Sequence, residues 1–537
     1  MTIKYIQTKD ILFMKKSFKK YILLPALALS AVAAATTAIA CSNGVSVEPA
    51  QVTKDLQANK DFLTTLTFSG NLEEVTGTTD KAALQTWLTA NKATVTPTLS
   101  ADTKATRTAE LTTKDVTVTA PTDTTVTLTV VSVAYDGTDS SKLNVLLKAT
   151  KGDSTVHFVK QITGKAKNPV GSAQFALAVS DPTNPRWKTA EGILQTAATN
   201  SGFGGKTTNN GDQIKQNSAL ETALTSGAKG VLVSAKDSAS IGSVVNDASH
   251  RKVPLVAYDR LITGSDKYDY YVTYNNERVG TLQGYSLVKA IYSATHSWDA
   301  SKSVEDNVNA LIEEVKGKKL SEDKFIYLSA GDPADNNSKL FFNGAMEVIK
   351  KAQTEDAHLK FLNTATAFEN VATTDWVAQT AAASFQTVYN TATETQRANL
   401  VGILAPNDGL AIGLADALKT VAGTAEKDTI WSKVFITGQD GIEGVVSSLK
   451  AKNSKVDMTI KKADEPLSRA GTAILTLLTA YPNATREQVA AFVKLTSPND
   501  NWQLDTTSYK VGSKVITTFS FTPVIVTPEN VATEFPS

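Results

Sequence analysis

The chain has 537 residues, 42% hydrophobic and 20% charged, which is enough for packed cores, and the length alone suggests about three domains. Lys and Arg number 54 against 53 Asp and Glu, so no basic excess marks a nucleic acid as partner. Four scattered histidines (His157, His250, His296, His358) and the single Cys41 are too few ligands for a Cys/His metal site, and no cofactor is expected.

Lys15, Lys16, Lys19 and Lys20 follow Met14 and precede an apolar, small-residue stretch from Tyr21 to Ala40, which ends Ala38-Ile39-Ala40-Cys41. A charged start, a short apolar core and small residues before a cut form a secretory signal over residues 1–40. Residues 1–13 precede the second Met and read as an over-extended start. Cys41 directly after the cut resembles the bacterial lipobox. That resemblance implies acyl chains on its thiol, membrane affinity of about 0.8 kcal/mol per buried CH₂, and a place on the extracellular face of the cell membrane. A transmembrane helix competes on length, but Ala, Thr and Ser make this stretch weakly hydrophobic.

Residues 41–168 are Thr-, Ala- and Lys-rich. Helical patterns at Val52 to Leu66 and Lys81 to Ala93 come first. Period-two runs follow (Val116-Thr117-Val118-Thr119, then Val126 to Val131), separated by turn signals such as Asp136-Gly137-Thr138. Alternating β-branched residues predict half-buried strands, hence a small β-rich N-terminal module; a Thr-rich stalk is the alternative. In composition the segment resembles surface lipoproteins of wall-less bacteria.

From Ala173 the texture changes. Apolar runs of strand length occur at Phe175–Val179, Val231–Val233, Pro254–Tyr258, Phe325–Leu328, Leu400–Leu404, Val434–Ile436 and Val456–Ile460. Helical stretches lie between them at Arg186–Asn200, Gln213–Ser226, Ser240–His250, Glu277–Tyr292, Asn337–Lys351, Thr374–Tyr389, Gly409–Thr420 and Ile442–Lys450. Apolar strands without polar alternation, separated by helices, predict α/β architecture with parallel sheets buried on both faces. The right-handed crossover rule makes such sheets doubly wound. One set precedes Asn276 and one follows Lys324, which predicts two similar lobes.

Ligands of open α/β sheets sit outside the carboxyl ends of the strands. Polar residues fall at those ends here: Asp181 to Trp187, Asp259-Arg260, Asn407-Asp408 and Gly438-Gln439-Asp440. A hydroxylated sugar both donates and accepts, so carboxylates and amides beside Arg and Lys suit it, at about 1.5–3 kcal/mol for each charge-assisted bond. Trp187 and Trp376 offer apolar faces. Asp or Asn after a strand is also an ordinary cap or turn residue, and for any single position that explanation is the simpler one.

At these residues the chain resembles type I periplasmic sugar-binding proteins, most closely their D-xylose-binding members, from about Ala173 to about Asn530. The blocks carrying the resemblance are PRWKTA (Pro185–Ala190), VPLVAYDRLI (Val253–Ile262), YVTYNNERVG (Tyr271–Gly280), GDPADNNSKLFFNGAMEVIK (Gly331–Lys350), APNDGLAIG (Ala405–Gly413), ITGQDG (Ile436–Gly441) and FTPVIVTPENV (Phe521–Val531). The resemblance implies a two-lobed periplasmic-binding-protein type I fold with a three-strand hinge. Its lobes would be 169–275 with about 462–510, and 276–461 with about 511–537. It places Arg186 and Trp187 in the first lobe's wall, with Trp187 and Trp376 stacking on the sugar. Asp259 and Arg260 would hydrogen-bond it from the same lobe, and Asn407 and Asp440 from the other. Asn275 and Asn276 fall at the first hinge crossing and Lys462 at a later one. Two departures bear on the sugar: Asn275 stands where the pattern usually has Asp, and Asp181 to Pro185 is less charged than expected.

The implied activity is capture of a monosaccharide by a monomer, which hands it to an ABC transporter permease without catalysis. A hydrolase using Asp259 and Asp440 is disfavoured because Arg260 would hold its neighbour ionised. A surface adhesin and a nucleoside-binding lipoprotein of the same fold are the remaining alternatives.

Overall fold

The computed structural model describes Leu66 and residues 71–99, 113–119, 121, 125–163, 174–181, 184–209, 211–422 and 433–536. The expected signal peptide, Cys41 and all but Leu66 of the first helical pattern lie outside these residues. Helix Lys81–Asn91 buries Leu84, Trp87 and Leu88, the spacing of a one-faced helix. β1 (Thr96–Leu99) pairs antiparallel with β2 (Val116–Thr119). β3 (Thr127–Tyr135), β4 (Lys142–Lys151) and β5 (Ser154–Thr163) form an antiparallel meander. In β5, Ser154, Val156 and Phe158 are buried while the residues between them are half-exposed, as the period-two pattern requires. Over these residues the Thr-rich segment is a folded module.

The second texture builds two sheets. β6 (Gln174–Val179), β7 (Gly204–Asn209), β8 (Gly230–Val233), β9 (Leu255–Tyr258) and β10 (Tyr270–Tyr274) run parallel in the order β7-β6-β8-β9-β10. Helices Pro185–Asn200, Gln213–Thr225 and Gly242–His250 make the crossovers. β8, β9 and β10 are buried along their whole length, so their sequences carry no polar alternation. β11 (Lys324–Leu328), β12 (Leu359–Phe361), β13 (Leu400–Leu404) and β14 (Phe435–Ile436) repeat the winding as β12-β11-β13-β14. In each sheet the order reverses beside the first strand, which opens a crevice at the carboxyl ends.

The remaining strands tie the lobes together. β15 (Thr459–Lys461) leads back to the first lobe through helices Asp464–Ala480 and Arg486–Thr496. β16 (Trp502–Asp505) forms the antiparallel edge of the first sheet, and β17 (Lys510–Val511) and β18 (Lys514–Val515) form a small hairpin. β19 (Thr517–Phe521) enters that sheet parallel to β10, and β20 (Val524–Val526) pairs with β15 in the hinge. The three crossings therefore fall after Tyr274, after Lys461 and after Phe521.

The expected boundary at 511 is thus too early, because β19 belongs to the first lobe. Its sequence, TTFSF, has no apolar run, and Thr518 and Ser520 are buried where β19 lies between β10 and β16 in the first sheet. The expected strand Val456–Ile460 shortens to Thr459–Lys461 and lies in the hinge pair. The expected helix Thr374–Tyr389 is broken, because Asp375 and Trp376 take left-handed φ of 57° and 55°; the helix begins at Ala378.

The module docks on the first lobe. Ala134 and Leu146 are buried in the same cluster as Phe175, Leu194 and Phe492. The Asn144 amide donates to Leu495 O at 2.9 Å, and Gly137 N–H donates to Thr496 O at 2.8 Å. Among the described residues no helix is long and apolar enough to cross a membrane.

Candidate functional site

The strand ends converge on a narrow chamber between the lobes, whose empty space, part of it open to solvent, is about 330 Å³. Pro185 at the first helical position and the Asn184 cap, which accepts from Arg186 N–H at 2.9 Å, start a helix that carries Arg186 and Trp187 into the wall. After β9 the chain turns at Asp259 (φ 59°), whose N–H is held by Val272 O at 2.8 Å. The second lobe contributes Asn407 after β13, and Gln439 and Asp440 after β14; Lys462 enters at the second crossing.

Arg186 is the electrostatic centre. It bonds the Asp259 carboxylate at 3.0 and 3.4 Å and the Asp464 carboxylate at 3.1 and 3.3 Å, with Asp440 at 3.6 Å. Burial works against its charge, but Asp259, Asp464 and Asp440 outweigh that and raise its pKa well above the ordinary value. Burial likewise pushes the Asp259 carboxyl up, yet Arg186 first and Lys462 second (3.7 Å) hold it well below the usual carboxylate range. Asp440 is raised by burial, which its attraction to Arg186 and Lys462 does not cancel. Burial also lowers Lys462. Asp259 is thus kept ionised, chiefly by Arg186 and Lys462 rather than by Arg260 alone. An ionised carboxylate accepts hydrogen bonds from hydroxyls and has no proton to give as a general acid.

The aromatic faces are locked in place. The Arg186 and Arg260 guanidiniums lie 4.6 and 5.6 Å from the Trp187 ring centre, with Tyr258 edge-on. The outer edge of the Trp376 ring lies against Gly331, where an added Cβ would come within 2.0 Å of it. Phe341 adds a third face, with Lys462 Nζ 5.0 Å from its centre.

The lobes meet directly around the chamber. Arg260 Nε lies 2.9 Å from an Asp335 carboxylate oxygen, with its N–H off the line between them, and Lys236 reaches Asp375 at 3.0 Å. The Asn337 amide donates to Asp259 O at 2.7 Å, and Ser238 N–H to Ala334 O at 3.2 Å. Besides Arg260 Nε, two buried polar atoms of chamber-lining residues, Trp376 Nε1 and Gln439 Oε1, have no hydrogen-bond partner among the described residues. A buried orphan costs about 1–3 kcal/mol, so a donor and an acceptor of this kind suit a hydroxylated ligand.

Of the residues expected at the site, Arg186, Trp187, Asp259, Arg260, Trp376, Asn407, Asp440 and Lys462 line the chamber. Asn275 does not. It is exposed, and its side chain caps helix Asn276–Ile291 by accepting from Arg278 N–H at 2.9 Å. Asn276 is buried behind the wall, bonded to Asn337 at 3.0 Å and Thr273 at 3.1 Å, and holds the Asn337 side chain. Arg260 is less available than expected, since its Nη1 donates to Ala235 O and Lys236 O. Asn407 Oδ1 is taken by Leu410 N–H as a cap, which leaves its amide nitrogen for the chamber. Asp335, Asn337 and Phe341 line the chamber without having been singled out, and Asp181, Asn184 and Gln439, noted only as polar residues at strand ends, line it as well. All but Asp181 and Asn184 stood inside blocks already recognised; position in the fold was the missing signal. Among the described residues no group of His, Cys, Asp and Glu is arranged to hold a metal.

Residues 175–481 match the profile described as the periplasmic binding protein domain. A 46 kDa surface antigen of Mesomycoplasma hyopneumoniae is 31% identical over 380 residues, 68% of this chain and 88% of that protein. A multiple sugar-binding periplasmic protein of Azospirillum brasilense is 27% identical over 320 residues, 59% of this chain and 75% of that protein. Among solved structures, an ABC transporter solute-binding protein from Clostridium phytofermentans, with bound β-D-glucose, superposes with a TM-score of 0.53 at 23% identity, covering 67% of this chain and 96% of that one. That likeness concerns the fold, and it agrees with the two windings described above. Matched over more than half its length, the chain belongs to the periplasmic binding protein domain family, whose members are binding proteins with the type I two-lobed architecture.

Proposed function

We propose that this protein is the solute receptor of an ABC-type sugar importer and encloses one neutral monosaccharide between its lobes. The reading rests above all on the Trp376 Nε1 and Gln439 Oε1 orphans, a donor and an acceptor on residues that line one chamber with aromatic side chains and both charge signs. The sugar-binding name of the Azospirillum relative and the glucose in the Clostridium structure support the same class. Asp259, Arg186 and Lys462 would serve the sugar from the first lobe and hinge, and Asn407, Gln439 and Asp440 from the second. Closure by contacts made on both lobes is the expected hinge mechanism, for which periplasmic binding proteins are the standard illustration. The closed form would dock on the permease, and acylated Cys41 would hold the receptor, as a monomer, at the extracellular face of the cell membrane.

A thermal-shift screen across pentoses, hexoses and nucleosides, followed by calorimetry, tests the reading. One monosaccharide raising Tm and binding with one-to-one stoichiometry supports it, and D-xylose is one arm of the panel. Binding of nucleosides alone would move the ligand class. The surface-antigen relative favours a second reading, an adhesin with the fold retained, and binding to no arm of the panel would favour that one.

A further inference from the structure

The Asp440 carboxylate reaches the chamber from a strained turn. Asp440 has φ 101° and Gly441 has φ 62°, both in the region that side-chain-bearing residues avoid unless their surroundings impose it. Two of those surroundings lie in the hinge: Asp440 N–H donates to Ile460 O at 3.0 Å, and Gly441 N–H to Thr459 Oγ1 at 3.1 Å. A third comes from residues remote in sequence and outside the chamber. The edge of the Phe535 ring rests on Gly441, where an added Cβ would lie 2.6 Å from Phe535 Cζ. Phe535 is fixed in turn by Lys461 of the hinge strand. The Lys461 ammonium lies 5.1 Å from the ring centre and also bonds the Glu534 carbonyl oxygen and, at 3.4 Å, its carboxylate. The segment that carries Phe535 is tied to β20, because the Asn530 side chain bonds Ile525 O and Thr527 N–H, both at 2.8 Å.

We infer that Phe535, clamped by Lys461 and Glu534, is a positioning residue for ligand capture, holding the Asp440-Gly441 turn so that the Asp440 carboxylate aims into the chamber. Only Gly at 441 admits the ring, so the turn and the brace fit each other. The inference deepens the sugar-receptor reading and rests on it for the identity of the ligand, while the geometry it describes exists in the ligand-free protein.

The test uses the full chain and has two arms. In the first, hydrogen–deuterium exchange of the ligand-free protein follows peptides covering 436–446. Phe535→Ala should speed exchange of the Asp440 and Gly441 amides at least tenfold while peptides of the first sheet keep their rates, and Phe535→Met, which keeps an apolar side chain of similar reach without adding an atom beyond the ring tip, should recover much of the wild-type rate. In the second, calorimetry with D-glucose and D-xylose should show Phe535→Ala weakening binding about tenfold, with Tm changed by only a few degrees. Gly441→Ala should weaken binding in the wild type and less in the Phe535→Ala background, where the clash is gone and only the strain of a side chain at φ 62° remains. Unchanged exchange at 440–441 in Phe535→Ala overturns the inference, as does a fall in Tm without that local change. If no pentose or hexose of the screening panel binds the wild type while the exchange result holds, the brace stands and the sugar reading fails.

Discussion

Asp335→Ala should open the receptor. Arg260 and Asp335 come from opposite lobes, lie 2.9 Å apart and are each about 4% exposed, so their charges are out of water only while the lobes are together. Removing one partner of a buried pair costs about 3–5 kcal/mol, most of it the penalty of the charge left behind. The lower figure applies here, because Arg260 keeps the carbonyls of Ala235 and Lys236 at 3.1 and 3.2 Å. About 3 kcal/mol then falls on the closed form alone, since opening returns the guanidinium to water. At 1.4 kcal/mol per tenfold this shifts the closure equilibrium roughly 150-fold, and apparent affinity falls with the closed fraction up to that factor. Small-angle scattering of the ligand-free variant should show a larger radius of gyration, and calorimetry with the sugar selected by the screen should show the weaker binding. Arg260→Ala and the double variant complete a cycle whose coupling should exceed about 1 kcal/mol. Affinity within threefold of wild type together with an unchanged scattering profile would refute the argument.

Gly331→Ala should displace the Trp376 ring from the wall, because the new Cβ would fall 2.0 Å from it, and lower affinity about tenfold with the fold intact; in a Trp376→Ala background the same change should have no further effect, by calorimetry. Asn275→Asp should leave ligand affinity unchanged, since Asp caps the helix as well as Asn and the position does not face the chamber. A changed preference between pentose and hexose would show that the departure from the family pattern does matter. Asp457 is pushed up to about 7 by burial, against a hydrogen bond from Ile436 N–H that favours the charged form. The fold therefore favours the protonated carboxyl. Its contribution is fully present below the unfolded value of about 3.9 and is lost as pH rises through about 7. Denaturant titrations should show stability falling over that window in the wild type and a flatter profile in Asp457→Asn; equal profiles would remove Asp457 as the cause.

The sequence by itself determined the two windings. Strands such as Leu255–Tyr258 are buried on both faces, and that condition writes a continuous apolar run no surface element would carry. It also determined most of the chamber, because strand ends are where a doubly wound sheet presents polar residues, and Arg186, Asp259, Asn407 and Asp440 stood at such ends. What only the tertiary structure decided is which of these residues is free to face a ligand. Asn275 and Asn407 look alike as post-strand amides, yet one points outward as a cap and the other caps while lining the chamber. Asp335 and Asn337 gain their roles only because the second lobe closes over Asp259 and Arg260. The same holds for β19, whose TTFSF carries no run of its own and is buried between β16 and β10, the latter nearly 250 residues earlier. Local patterns record what a residue's own neighbours demand. Contacts between segments far apart in the chain leave no period in the sequence, and here they set the hinge, the interlobe latch and the aim of Asp440.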